Sequence, residues 1–223
     1  MKSKIIASSI TFAGLMVIAS AVQAQSINVS VIGTVIPAAC VPALAGGGVA
    51  DYGDIPAGTL NATAFNVLAQ KAIAFTINCE QPAMVGISAV DNRSSSVVPG
   101  ITVAAAPGFS DLYNYGLGTV SGANVGGFAM TLEQGSFTVD GVATPTLLSQ
   151  DTGVTWGATG LGGIRHTANN IISWGATPAA GPLAGRVFAG TLTVQAVLNK
   201  GSALPLTANV PLDGSATLSL VYL

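Results

Sequence analysis

The chain is predicted to fold as an all-β protein, and three observations predict it. Apolar residues recur at every second position over short segments, the spacing that places one row of side chains on one face of a strand. The 28 Gly and 11 Pro break these segments at intervals, as turns between strands require. Charged residues make up only 7% of the chain, against about 25% in a typical globular protein. The surface is then built from Ser, Thr, Asn, Gly and Ala, which suits a β-rich extracellular protein.

Residues 1–24 read as a secretory signal peptide. Lys2 and Lys4 precede an apolar run from Ile5 to Ala21, and Val22-Gln23-Ala24 supplies the small residues of a cleavage site. The alternative is a membrane anchor, but a run of about 17 residues is at the short limit for a span. Cleavage leaves 199 residues, enough for one sizeable core, with no linker to divide them. It also leaves five basic against nine acidic side chains, a net charge of −4. Lys71, Arg93, Arg165, Arg186 and Lys200 stand singly along the chain, so no basic face is available for nucleic acid.

The first alternating stretch is Ile27-Asn28-Val29-Ser30-Val31-Ile32-Gly33-Thr34-Val35. Ile27, Val29, Val31 and Val35 share one face, and Gly33 leaves a flat spot in the row. No neighbouring segment folds back on it, so it reads as a strand in search of a partner. After Cys40 come a turn at Gly46-Gly47-Gly48, the segment Asp51 to Ile55, and a strand carrying Ile73, Phe75, Ile77 and Cys79 on one face. Val85, Ile87 and Ala89 alternate next, then Phe128, Met130 and Leu132. Asp140-Gly141 between Phe137–Val139 and Val142–Thr144 predicts a hairpin, because that dipeptide accepts positive φ. Gly190 to Leu198 is the strongest strand, a turn follows near Asn199-Lys200-Gly201, and Ala216 to Leu223 closes the chain with Leu218, Leu220 and Tyr222 on one face. Residues 91–127 and 145–187 are Gly-rich and are expected to form long loops or small inserted hairpins.

Cys40 and Cys79 are the only cysteines. In an exported chain with no rival thiol the simplest expectation is a disulfide between them. A zinc site needs about four ligands, and His166 is the single histidine.

At Val31-Ile32-Gly33-Thr34-Val35-Ile36-Pro37-Ala38-Ala39-Cys40 the chain resembles the start of chaperone–usher fimbrial subunits, whose alternating extension carries a Gly about seven residues before the first Cys. Phe75-Thr76-Ile77-Asn78-Cys79 is similar to the strand that brings back their second Cys, and Tyr222 matches their penultimate Tyr. The middle of the chain looks more like a group of uncharacterised pilin-like proteobacterial secreted proteins. One departure is that the position fourteenth from the C-terminus, Gly in many fimbrial subunits, is Val210 here, with Gly214 tenth.

The resemblance implies an incomplete immunoglobulin-like β-sandwich lacking its last strand (residues 40–223), preceded by a donor-strand extension (residues 25–39). Ile27, Val29, Val31, Gly33 and Val35 would fill a neighbour's groove, and Leu218, Leu220 and Tyr222 would form the strand on which a chaperone or neighbour pairs. The implied function is a structural subunit of an adhesive surface fimbria. The implied partners are neighbouring subunits, a periplasmic chaperone and an outer-membrane usher, with no small-molecule substrate and no cofactor, and the implied route runs through the periplasm to the cell surface.

Two other classes fit parts of the pattern. A small outer-membrane β-barrel shares the signal peptide and alternating strands, but the 13 aromatic residues show no regular girdle spacing. A carbohydrate-binding adhesin would use Trp156 or Trp174 as a stacking platform, though core packing is the plainer role for both. An enzyme is not expected. His166 beside Arg165 in a Gly-rich loop reads as solvated surface. Glu80 and Glu133 have no evident reason to meet, Asp51 and Asp54 read as turn-forming residues, and Gly116 to Gly122 lacks dinucleotide-loop spacing.

Overall fold

A computed structural model describes residues 29–34, 39–106 and 108–223. The signal peptide, Ile27 and Val35 lie outside the described residues. The chain divides into two units, Met1–Ile36 and Pro37–Leu223, and the second holds the fold.

Eight main strands form, five of them predicted, namely those that carry Ile73, Val85, Phe128, Leu192 and Leu218. The eight are β1 (Cys40–Leu44), β2 (Lys71–Ala83), β3 (Val85–Asp91), β4 (Gly126–Leu132), β5 (Thr146–Ser149), β6 (Ile171–Trp174), β7 (Gly185–Leu198) and β8 (Ala216–Tyr222). One sheet runs β1–β2–β7–β4 and ends on Tyr115–Gly116; the other runs from Gly157–Ala158 through β5–β6–β3–β8. Both sheets are open and pack as a sandwich, which overturns the closed-barrel alternative.

Alternation sets the packing. Ile73, Phe75 and Ile77 of β2, Phe128, Met130 and Leu132 of β4 and Phe188, Leu192 and Leu198 of β7 face Val85, Ile87 and Ala89 of β3 and Ile172 and Trp174 of β6. Trp174 is fully buried at the centre, its ring 5.1 Å from that of Phe188 and 6.2 Å from that of Phe75. Each such side chain is worth about 1.5–3 kcal/mol on burial, and the aromatic pairs tie the sheets together. Trp174 is therefore a core residue, and Trp156 is half-buried in the loop after β5.

The hairpin at Asp140-Gly141 forms as expected, with φ of 50° and 81° at its two central residues. Its Asp140 carboxylate accepts the N–H groups of Arg186 (3.0 Å) and Val187 (2.8 Å), where the register of β7 shifts. The loop carboxylate thus satisfies two donors that the irregular ladder leaves over. The segments without a sequence assignment, residues 91–127 and 145–187, hold β5, β6, short two-residue strands and single turns of 3-10 helix.

Candidate functional site

β8 ends one sheet and β1 ends the other; each pairs with a single strand among the described residues. Ala216, Leu218, Leu220 and Tyr222 stand opposite Asp91, Ala89, Ile87 and Val85 of β3 and share their face. Yet Val85, Ile87 and Ala89 are at most 2% exposed, whereas Ala216, Leu218 and Leu220 are half-buried and Tyr222 is 49% exposed. The difference is that, among the described residues, no strand pairs with the far side of β8.

The hydrogen-bond phase of each strand shows which backbone groups face the gap. Leu223 N–H donates to the Met84 carbonyl and Asn92 N–H to the Ser215 carbonyl, both at 3.0 Å. In an antiparallel ladder these bonds flank pairs whose own groups point outward, so the N–H and C=O of Ala216, Leu218, Leu220 and Tyr222 face the open edge. On β1, Glu80 N–H donates to the Ala39 carbonyl at 2.9 Å, which turns Cys40, Pro42 and Leu44 outward. Pro42 has no N–H, and that of Cys40 donates to the Tyr222 hydroxyl at 2.9 Å. The two walls are therefore unequal: β8 offers an unbroken ladder, and β1 is blunted.

An open trough of about 960 Å³ is built from the chain that follows β1 and the chain that precedes β8. One wall is residues 49–57 with Leu60, the other is Leu204 and residues 206–212, and Val125 and Leu198 of the core form part of its lining. Ala50, Tyr52, Ile55, Leu60, Val210 and Leu212 pack on the core but stay half-buried. Tyr52 pegs its wall to β7, donating to the Val194 carbonyl (3.1 Å) and accepting from Ala196 N–H (3.0 Å). Burial raises its pKa, which keeps the hydroxyl a donor.

The start of β8 is pinned by polar groups on its paired side only. Arg93 holds the Asp213 carboxylate through Nε and Nη2, each at 2.9 Å, and Asn92 Nδ2 donates to the hydroxyls of Ser215 and Thr217 at 3.0 Å. Arg93 keeps the Asp213 carboxyl below its ordinary range. Between them lies Gly214, where a Cβ would come within 2.9 Å of Leu117 and of the Phe128 ring. That crowding explains a glycine at this point, while Val210 lines the trough.

The sequence-derived residues fall as follows. Cys40 and Cys79 form the disulfide, joining β1 to β2 at directly opposed positions. Leu218, Leu220 and Tyr222 share one face of β8, and Leu218 and Leu220 pack against the core. Val29 and Val31 are 86% and 94% exposed, in an unpaired segment rather than a strand of this chain, and Gly33 has open space around its Cα. The trough walls at Tyr52, Ile55, Leu204, Val210 and Leu212 were not anticipated; the apolar residues after the Gly46–Gly48 turn were the one available signal.

His166 departs from the solvated-surface reading. It is half-buried, its Nε2 lies 2.9 Å from the Asp111 carbonyl oxygen, and its ring meets that of Tyr115 edge-on. Asp51 makes its turn bond, accepting Gly53 N–H at 2.8 Å. Among the described residues no three His, Cys, Asp or Glu side chains group as metal ligands, and no helix is long and apolar enough to cross a membrane.

A family model described as "Protein of unknown function (DUF1120)" matches residues 29–142, just over half of the chain. The chain belongs to the DUF1120 family. The matched region contains both cysteines, β1 to β4 and the Asp140-Gly141 hairpin. This DUF1120 member is similar to Protein GltF of Escherichia coli (strain K12), 25% identical over 236 residues that cover 92% of this chain and 91% of that protein. It is also similar to Uncharacterized protein YhcF of the same organism, 28% identical over 126 residues, 51% of this chain and 53% of that one.

Proposed function

We propose that this DUF1120 protein is a structural subunit of an adhesive surface fibre, built by each copy lending a strand to the next. The observation that carries the proposal is β8. Among the described residues its outer backbone edge is unpaired and its core-facing row half-covered, and the chain leading into it lines a trough open to the core. An edge of this kind either aggregates or accepts an added strand. The segment Ile27 to Val35 has the alternation to supply one, and its described apolar residues Val29, Val31 and Ile32 are all more than four-fifths exposed. Donation from one copy to the next is a head-to-tail contact that does not close, and so grows a fibre.

In this reading the signal peptide sends the chain to the periplasm. A chaperone occupies β8 until an usher passes the subunit to the cell surface. The protein acts as a building element, without catalysis or a bound cofactor. A carbohydrate-binding tip role is the weaker reading, because Trp174 is fully buried and a tip has no use for a donor segment.

The decisive experiment deletes residues 25–35 from the exported chain. The expected product is a single, oxidised, folded subunit that forms no polymers, and a synthetic peptide of Ser26 to Ile36 raises its melting temperature. Polymers persisting without the segment, or unfolding of the shortened chain, overturn the proposal.

A further inference from the structure

The two free strand edges, β8 and β1, are tied together at one end. There the Tyr222 side chain reaches from β8 to β1, and its hydroxyl accepts the outward N–H of Cys40. Tyr222 is the last residue of β8, and Cys40 is the first of β1. They belong to different sheets, so this bond joins the two edges between which a further strand would lie. Cys40 can offer that N–H only because its opposed position to Cys79 turns its own backbone groups away from β2. Half the surface of Tyr222 remains exposed, so the ring has room to leave.

We infer that Tyr222 is a removable plug. In the single subunit its side chain bridges the two edges and its hydroxyl satisfies Cys40. When a second copy's Ile27–Val35 segment adds to β8, the ring swings out and the incoming backbone takes over the Cys40 N–H. The inference rests on the strand-donation reading and adds a residue that sets how readily the trough accepts its occupant. The occupant is argued from the uncharged, alternating segment that precedes β1 and from the exposure of its apolar residues. The free backbone groups of Ala216, Leu218 and Leu220 lie directly before Tyr222, so a strand pairing along β8 reaches the plug last or first, and in either direction meets it.

The test uses the whole mature chain, residues 25–223, oxidised at Cys40–Cys79, with Tyr222→Phe as the variant that keeps the ring and removes the acceptor. Amide exchange of Cys40 in dilute single subunits is expected to be about fivefold faster in the variant, the worth of one hydrogen bond. Fibre growth from single subunits is expected to accelerate by a similar factor, and in grown fibres the Cys40 amide is protected equally in both proteins. Equal Cys40 exchange in the single subunits overturns the clasp. Faster exchange with unchanged growth overturns its role as a gate. If neither protein forms fibres, the strand-donation reading fails and the gate with it, whereas the exchange data still report on the bond itself.

Discussion

The ring of Phe137 lies against Gly190 so closely that a Cβ built on Gly190 would come within 2.5 Å of the ring's Cγ. Gly190 sits on the core face of β7 between Phe188 and Leu192, and the absent side chain is the space that Phe137 fills. Phe137 in turn stacks on Trp174 at 5.5 Å. Gly190→Ala is therefore expected to destabilise the domain by about 1–3 kcal/mol through overpacking, despite the better strand propensity of Ala. Urea unfolding followed by Trp174 fluorescence checks it, and a neutral or stabilising result would show that Phe137 can move aside.

The disulfide should contribute heavily to stability. It closes a loop of 39 residues' separation, worth about 4 kcal/mol in the chain-entropy model. Replacing both cysteines with Ser should lower the urea midpoint accordingly, and alkylation of the oxidised protein should label neither thiol. A change below about 1 kcal/mol would mean that the unfolded chain is already compact in this region.

Acid should loosen the loop after β5. The Thr155 hydroxyl, the Thr155 N–H and the Ser149 hydroxyl all donate to Asp151 and lower its pKa to about 2 from an ordinary 3.8. A carboxyl depressed by folding contributes its stability above the unfolded value and loses it as pH falls through the folded one. The window is thus from about pH 4 down to about 2, and the same sign holds for Asp213 beside Arg93. Thermal melts across this range should fall more steeply for the native protein than for Asp151→Asn. Parallel curves would remove Asp151 from the account.

Under the strand-donation proposal, Gly33 is the position that would tell the single subunit from the fibre. Nothing lies within 4 Å of where its Cβ would be, so Gly33→Leu should leave export, the disulfide and the melting temperature of single subunits unchanged. In a neighbour's trough the added side chain would overfill its place by about 1–3 kcal/mol. Loss of polymers with a normal monomer is the expected result, read by gel filtration and electron microscopy. Normal fibres from this variant would argue against a tight site for Gly33.

Most of the sandwich was legible because its long strands have one face buried and one exposed, as Ile73, Phe75 and Ile77 and the residues between them do. β6 was not, because it is covered on both faces and paired on both edges. All four of its residues are buried, including Ser173, whose hydroxyl donates to the Val85 carbonyl at 2.6 Å. Alternation disappears in such a strand. β5 was hidden in the same way by its buried Thr146, bonded to Gln134 and Thr159. The rows at both ends of the chain were readable, yet the trough was not, because its walls at residues 49–57 and 206–212 are irregular chain without ladder partners. Only the fold brings them together.

Pro42 gives the molecule a direction. Two copies that meet through their β1 edges find one N–H missing and another already engaged, so two-fold pairing there has little to hold it. A strand lent to β8, as proposed above, would use different surfaces on the two participants. A single imino acid, silent in the ladder to β2 because its N–H would have pointed outward anyway, thereby disfavours closed pairs through β1 and, in the fibre proposed above, would favour rows with a front and a back.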